Sequence, residues 1–127
     1  MNVVDSSAWL EYFADGPNAD VFAAIIENVS ELVVPTISIY EVFKRVLQQR
    51  DEDDALRAVA VMLQGSVVDL DTVLAMDAAI VSNELKLPMA DSIMLATARA
   101  HEAILWTQDA DFKEVNGVRY FEKGSSS

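Results

Sequence analysis

The sequence predicts an α/β domain, a three-layer α/β/α sandwich with a mainly parallel central sheet. Short apolar runs of strand length recur along the chain, segments with helical spacing of apolar residues separate them, and no internal repeat or low-complexity linker interrupts the alternation. At 127 residues with 52% apolar side chains, the chain can bury a real core without disulfides or structural metal.

The elements follow in order. Residues 2–5 read as a buried strand, and Ser6 or Ser7 is placed to cap a helix carrying Trp9, Leu10 and Phe13 that breaks at Asp15-Gly16-Pro17. Residues 18–28 form a second helix, with Val21, Phe22, Ile25 and Ile26 on its inner side. A second strand spans 31–35, and Thr36 or Ser38 starts a helix running to about Arg50. Helical spacing resumes over 52–64, residues 66–70 are strand-like, and Asp71 can cap a helix reaching Lys86. Pro88 resets the chain before a helix over 90–102, and 103–107 is another strand. The tail offers a turn and an edge strand at 118–121. Residues 1–123 therefore read as one domain, and 124–127 (Gly-Ser-Ser-Ser) as a disordered tail or cloning scar.

Composition excludes several chemistries. There is no cysteine, hence no disulfide framework, zinc-thiolate site or thiol nucleophile, and a reducing cytoplasmic location is the expectation. No apolar stretch reaches bilayer-spanning length, so no membrane association is expected. The formal charge of −12 opposes nucleic-acid binding unless cations mediate it.

Four acids nevertheless fall at comparable positions. Asp5 ends the first strand, Glu41 lies early in the helix after the second, Asp91 opens the helix after Pro88, and Asp109 follows the strand ending at Thr107. In a parallel sheet, strand C-termini and the starts of the following helices share one edge, so the four carboxylates can converge. Such a cluster repels itself and calls for a hard cation with oxygen ligands, Mg²⁺ or Mn²⁺; with a single histidine and no cysteine, zinc is disfavoured.

Each residue also has a plainer reading. Asp91 in a first helical turn opposes the macrodipole whether or not it binds anything. Glu41 sits among Ile37, Ile39, Tyr40, Val42, Phe43, Val46 and Leu47, a mostly buried helix on this reading, with Lys44 and Arg45 at i+3 and i+4 as local ion-pair partners. His101 near a helix end suits the dipole, and Trp9, Tyr12 and Phe13 at helical spacing read as core and groove wall. Ser6 and Ser7 have no histidine to activate them and no G-x-S-x-G turn, and no glycine-rich phosphate loop is present.

Four segments together carry a family resemblance: Val3-Val4-Asp5-Ser6-Ser7-Ala8-Trp9-Leu10, Ile37-Ser38-Ile39-Tyr40-Glu41-Val42, Leu87-Pro88-Met89-Ala90-Asp91-Ser92-Ile93-Met94-Leu95-Ala96-Thr97-Ala98, and Leu105-Trp106-Thr107-Gln108-Asp109-Ala110-Asp111-Phe112. In order and spacing they resemble the four motifs of PIN-domain ribonucleases, and the compact length is similar to that of the VapC toxins of toxin–antitoxin pairs. The resemblance implies a parallel sheet flanked by helices and metal-dependent hydrolysis of RNA phosphodiesters with Mg²⁺ or Mn²⁺. It implies Asp5, Glu41 and Asp91 as core acids and metal ligands and Asp109 as the fourth, with Asp111 a second candidate for that last place. Ser7 and Thr107 match the hydroxyl residues that orient those acids. Lys44, Arg45, Lys86, Arg99 and Lys113 are the basic residues nearest the motifs, with Lys44, Arg45 and Arg99 the substrate-binding candidates and Arg45 on the helical face of Glu41. VapC-like proteins also imply a homodimer and a VapB-like antitoxin, whose basic amphipathic segment suits an acidic chain with an apolar groove near Trp9, Tyr12 and Phe13.

Three other functions compete. A haloacid-dehalogenase-like phosphatase wants a second Asp two residues after the first, where Ser7 stands; a receiver-like phosphoacceptor wants an acidic pair and a late strand-end Lys that this order lacks. A non-catalytic PIN module for RNA binding or scaffolding is the third, and the intact acids speak against it.

Overall fold

A computed structural model describes residues 1–124, so the tail expected at 124–127 lies, beyond Gly124, outside the described residues. The strands are β1 (Asn2–Val4), β2 (Leu32–Pro35), β3 (Ser66–Val68), β4 (Ile104–Thr107) and β5 (Val118–Tyr120). The helices are α1 (Ser6–Phe13), α2 (Ala19–Ile26), α3 (Thr36–Gln49), α4 (Glu52–Met62), α5 (Thr72–Leu85) and α6 (Met89–Ala100). The sheet order is β3-β2-β1-β4-β5 and every pairing is parallel, β5 included.

Strand alternation distributes the core. Val3, Val33 and Leu105 pack with Leu74, Ala78, Val81, Ile93 and Met94 of α5 and α6 on one face. Val4, Leu32 and Val34 pack on the other with Ala8 and Trp9 of α1, Phe22 of α2, Val42 of α3 and Ala55 of α4. Neighbouring residues of a strand point to opposite faces, so runs such as Val3-Val4 and Leu32-Val33-Val34 must be apolar throughout once both faces are covered. Three layers result.

The topology decides where a ligand can sit. From β1 the chain steps outward to β2 and β3, then returns to place β4 on the other flank of β1, with Val3 opposite both Val33 and Leu105. The crevice at such a reversal lies outside the C-terminal ends of the two diverging strands, here Asp5 after β1 and Thr107 to Asp109 after β4.

Several local expectations are corrected. Neither Ser6 nor Ser7 is the cap of α1: Asp5 holds that position through its backbone carbonyl, which accepts from the Ala8 and Trp9 amides at 2.9 and 3.0 Å. The serine hydroxyls bond side chains instead, Ser6 to Glu41 and Ser7 to Asp5. The second helix ends at Ile26, followed by a 3-10 turn at Val29–Glu31 that periodicity did not announce. In α3 only Ser38, Val42 and Val46 are buried, while Tyr40 and Leu47 are 60% and 43% exposed, so the helix is half-buried rather than mostly buried. Asp71 caps α5 as expected, accepting from the Leu74 amide at 2.8 Å.

Candidate active site

Asp5 leaves β1 at the switch point with its side chain 3% exposed. Two hydroxyls meet the same oxygen: Ser7 Oγ donates to Asp5 Oδ2 at 2.8 Å and Thr107 Oγ1 donates to it at 2.9 Å. Thr107 is fully buried and also accepts from the Asp109 amide at 2.9 Å, which ties the β4 exit to β1. Both hydrogen bonds fall on Oδ2, so Oδ1 carries none among the described residues. Burial pushes the Asp5 carboxyl pKa up, the two hydroxyls oppose that shift, and the negative charges of Asp109 and Glu41 add to it.

The tightest grouping is Asp91, Asp109 and Asp111, each offering a carboxylate oxygen within 4.8 Å of the others. Asp91 opens α6 in the first turn after Pro88 and is 9% exposed. Its pKa is pushed up to about 8, first by burial, then by the charges of Asp5, Asp109 and Asp111, and by a hydrogen bond shared with the Asp111 carboxyl. Asp109 accepts from the Asp111 amide at 2.9 Å, holding both acids in one tight 3-10 turn.

Glu41 reaches this edge from α3. Its Oε1 accepts from Ser6 Oγ at 2.6 Å. The expected ion pair with Lys44 or Arg45 is absent among the described residues: Lys44 Nζ lies 5.8 Å from the Tyr40 ring centroid, and both cations are exposed. Local i+3 and i+4 spacing lost to a partner on a different helix because Ser6 sits on the sheet-edge side.

The four acids expected from sequence thus share one edge, with a difference of rank. Asp111 stands inside the close triad, whereas Asp5 and Glu41 lie outside it, Asp5 coupling by charge to Asp91 and Asp109, and Glu41 to Asp5. Arg45 lines a cleft of about 420 Å³ together with Ser7, Gln49, Gln108 and Lys123. Arg99 is not brought to the site: it lies in the last turn of α6, on the order of 12 Å along the axis from Asp91. Lys44 lines neither this cleft nor its neighbour.

The adjoining cleft, about 490 Å³, is lined by Ser7, Gln108, Asp109, Ala110, Tyr120, Glu122 and Lys123. A smaller, mainly apolar groove elsewhere does not touch these acids. The PIN domain family model matches residues 3–118. This chain belongs to the PIN-domain family.

As a PIN domain it has close structural counterparts among toxin–antitoxin proteins. A chain of a toxin–antitoxin complex from Klebsiella pneumoniae superimposes with a TM-score of 0.81 at 22% identity, covering 96% of this chain and 99% of that one. VapC20 of Mycobacterium tuberculosis, described as a Sarcin-Ricin loop cleaving toxin, gives 0.74 at 15% identity over 91% and 95%. A chain of VapBC2 from Rickettsia felis, solved with a DNA fragment from the promoter, gives 0.73 at 12% over 96% and 98%. The fold is therefore that of VapC toxins. A search of curated proteins found no match.

This PIN domain's acid cluster suits a hard divalent cation. The donors are all carboxylate oxygens, the triad closes to the span one ion can bridge, and the pKa values of Asp5 and Asp91 are raised first by burial and further by neighbouring negative charge, which a cation would offset. Sequence reading missed Ser6 as the support of Glu41, and Asn18, Gln108 and Lys123 beside the cleft. Asn18 stands at the N-terminal cap position of α2, yet its side chain makes no capping bond and instead reaches Gln108 Oε1 and the Glu122 carbonyl, both at 3.0 Å. Lys123 has no local signal at all, because its neighbours in space come from α1 and β4.

Proposed function

We propose that this protein is a metal-dependent endoribonuclease, the toxin of a VapBC-type pair. The observation that carries the reading is the convergence of Asp91, Asp109 and Asp111 within 4.8 Å, coupled by charge to Asp5 and through it to Glu41, at the switch point of the sheet. Asp91, Asp109 and Asp111 would hold the cation, and Asp5, whose Oδ2 is fixed by Ser7 and Thr107, would add a carboxylate beside it. Glu41, oriented by Ser6, completes the anionic wall. When bound, Mg²⁺ or Mn²⁺ lowers the pKa of a water and neutralises charge on the phosphoryl oxygens. The protein's own part is to hold these carboxylates close together against their repulsion, with Asp109 lining the adjoining cleft.

The VapB-like antitoxin has a fitting surface. An apolar groove of about 380 Å³ between α1, α3 and α4 is lined by Leu10, Phe13, Val46, Ala58 and Val61, with Arg50, Asp54 and Arg57 at its rim. Trp9, expected as groove wall, is fully buried beneath it, and Tyr12 is not in the lining. An amphipathic helix suits such a groove, and a basic one suits a chain of charge −12. A homodimer is supported by Val73, Met76 and Ile80, exposed 64%, 57% and 56% along one side of α5. A cytoplasmic location accords with the absence of cysteine and, among the described residues, of any helix long and apolar enough to cross a membrane.

The test is cleavage of RNA with Mg²⁺ or Mn²⁺ and its loss with chelator. Cleavage of small phosphomonoesters instead would favour the phosphatase reading, and inertness toward both with stoichiometric partner binding would favour a scaffold.

A further inference from the structure

The two clefts beside the acids share Ser7, Gln108 and Lys123 and so adjoin as one channel, Asp109 lining the first cleft and Arg45 the second. In a chain with 9 basic and 21 acidic residues, two cations from distant segments, α3 and the stretch after β5, border this one channel. Neither forms an ion pair among the described residues. Glu11 and Glu122 also border it; Glu11 Oε2 is occupied by the Asn18 amide at 2.8 Å.

Hydrogen-bond direction fixes a third element. The Glu122 carbonyl can only accept, so the Asn18 group 3.0 Å from it must be Nδ2, and that same nitrogen donates to Gln108 at 3.0 Å. Gln108 therefore turns Oε1 to Asn18, and its donor, Nε2, is left without a hydrogen bond among the described residues, on a side chain lining both clefts. Asn18 is 3% exposed and Gln108 6%, so this orientation is held inside the fold and not by solvent. The same Asn18 bond clamps the backbone at Glu122, immediately before Lys123, against the β4 exit.

We propose that Lys123, Arg45 and Gln108 Nε2 form the track for the single-stranded phosphodiester chain flanking the cleavage point, and that buried Asn18 is the positioning residue that sets it. This rests on the ribonuclease reading and adds to it the residues that grip the substrate. Two cations and a neutral donor beside an anionic centre answer the charge problem of an acidic nuclease: the strand is held where it lies alongside the acids rather than on them.

The test measures steady-state cleavage and binding of a single-stranded RNA oligonucleotide by wild type, Lys123→Gln, Arg45→Gln and Gln108→Glu, with Asp91→Asn as the control for the catalytic reading. Lys123→Gln and Arg45→Gln should each raise KM about five- to tenfold with the loss falling on KM rather than kcat, and flatten the salt dependence of log Kd by about 0.7. Gln108→Glu retains an oxygen for Asn18 while replacing the donor by an anion, and should weaken binding more than Lys123→Gln at unchanged far-UV circular dichroism. Asn18→Ser, if folded, should raise KM in the same direction as Lys123→Gln, since it frees Gln108 and the backbone before Lys123 without adding a charge. Unaltered KM and salt slope in Lys123→Gln and Arg45→Gln overturn the track while leaving the nuclease reading intact if Asp91→Asn is dead. RNA binding by wild type that ignores all three substitutions likewise overturns it, whether or not the RNA is cut.

Discussion

Ser6 Oγ donates to Glu41 Oε1 across 2.6 Å, a bond that spans 35 residues of sequence and fastens the start of α1 to the second turn of α3. A hydroxyl that sequence reasoning assigns to a cap is thereby the fixture of a candidate site acid. Ser6→Ala should cost about 1 kcal/mol of stability, the usual net worth of such a bond, and lower kcat for RNA more than it raises KM. Urea denaturation and initial rates on the same preparation check both; an unaltered kcat would remove Glu41 orientation from the account.

Asp91→Asn and Asp5→Asn should each abolish cleavage, by about 100-fold or more, without unfolding the protein. Because burial and like charges already push the pKa of both carboxyls up, neutralising either relieves repulsion in the metal-free protein. The expected thermal midpoint without metal is equal to or above that of wild type. A large fall in midpoint would mean that these acids are structural.

Metal-free stability should decline as pH rises. Asp91 titrates near 8 when folded against 3.8 unfolded, so between those values the native state holds more protons than the unfolded one. The stabilisation is full below about pH 4 and is lost as pH passes 8, and Asp5 acts in the same direction. Allowing for solvent reaching the pocket, the change is on the order of 2 kcal/mol. Saturating Mg²⁺ or Mn²⁺ should flatten or reverse the slope, because the cation favours the ionised acids. Chemical denaturation at a series of pH values, with and without metal, measures this directly.

Thr107→Val keeps the shape of a fully buried side chain but removes the donor to Asp5 Oδ2 and the acceptor of the Asp109 amide. A loss of about 1–3 kcal/mol is expected, together with weaker cation binding, and Thr107→Ser should restore most of both. Isothermal titration with Mn²⁺ reads the metal arm. Equal affinity in Thr107→Val would show that Ser7 alone suffices to orient Asp5.

Much of the fold is legible in the chain because it is written in short-range patterns. Val3-Val4 and Leu32-Val33-Val34 are apolar at consecutive positions, which marks strands covered on both faces, and Asp71 three residues before Leu74 marks a helix start that the side chain does cap. The acids at strand exits and helix starts follow from the same logic. Hydroxyl and amide partners do not. Ser6 and Ser7 look like caps, yet Ser6 bonds Glu41, 35 residues away, and Ser7 bonds Asp5 and the Gln108 amide, while Asn18, at a helix start, bonds groups 90 and 104 residues away. Glu41 had two cations one helical turn off and took neither.

What the sequence determined by itself is the alternation of elements, the sheet edge on which Asp5, Glu41, Asp91 and Asp109 would meet, and the family to which their spacing belongs. Only the tertiary structure decided that Asp111 joins Asp91 and Asp109 in the closest group, that Ser6 and not Arg45 serves Glu41, and that Asn18 bonds Gln108 and the Glu122 carbonyl. The reason is range: periodicity and capping act within a few residues, whereas a polar side chain bonds whichever partner the strand order brings within 3 Å, and that order is set by packing of the whole sheet.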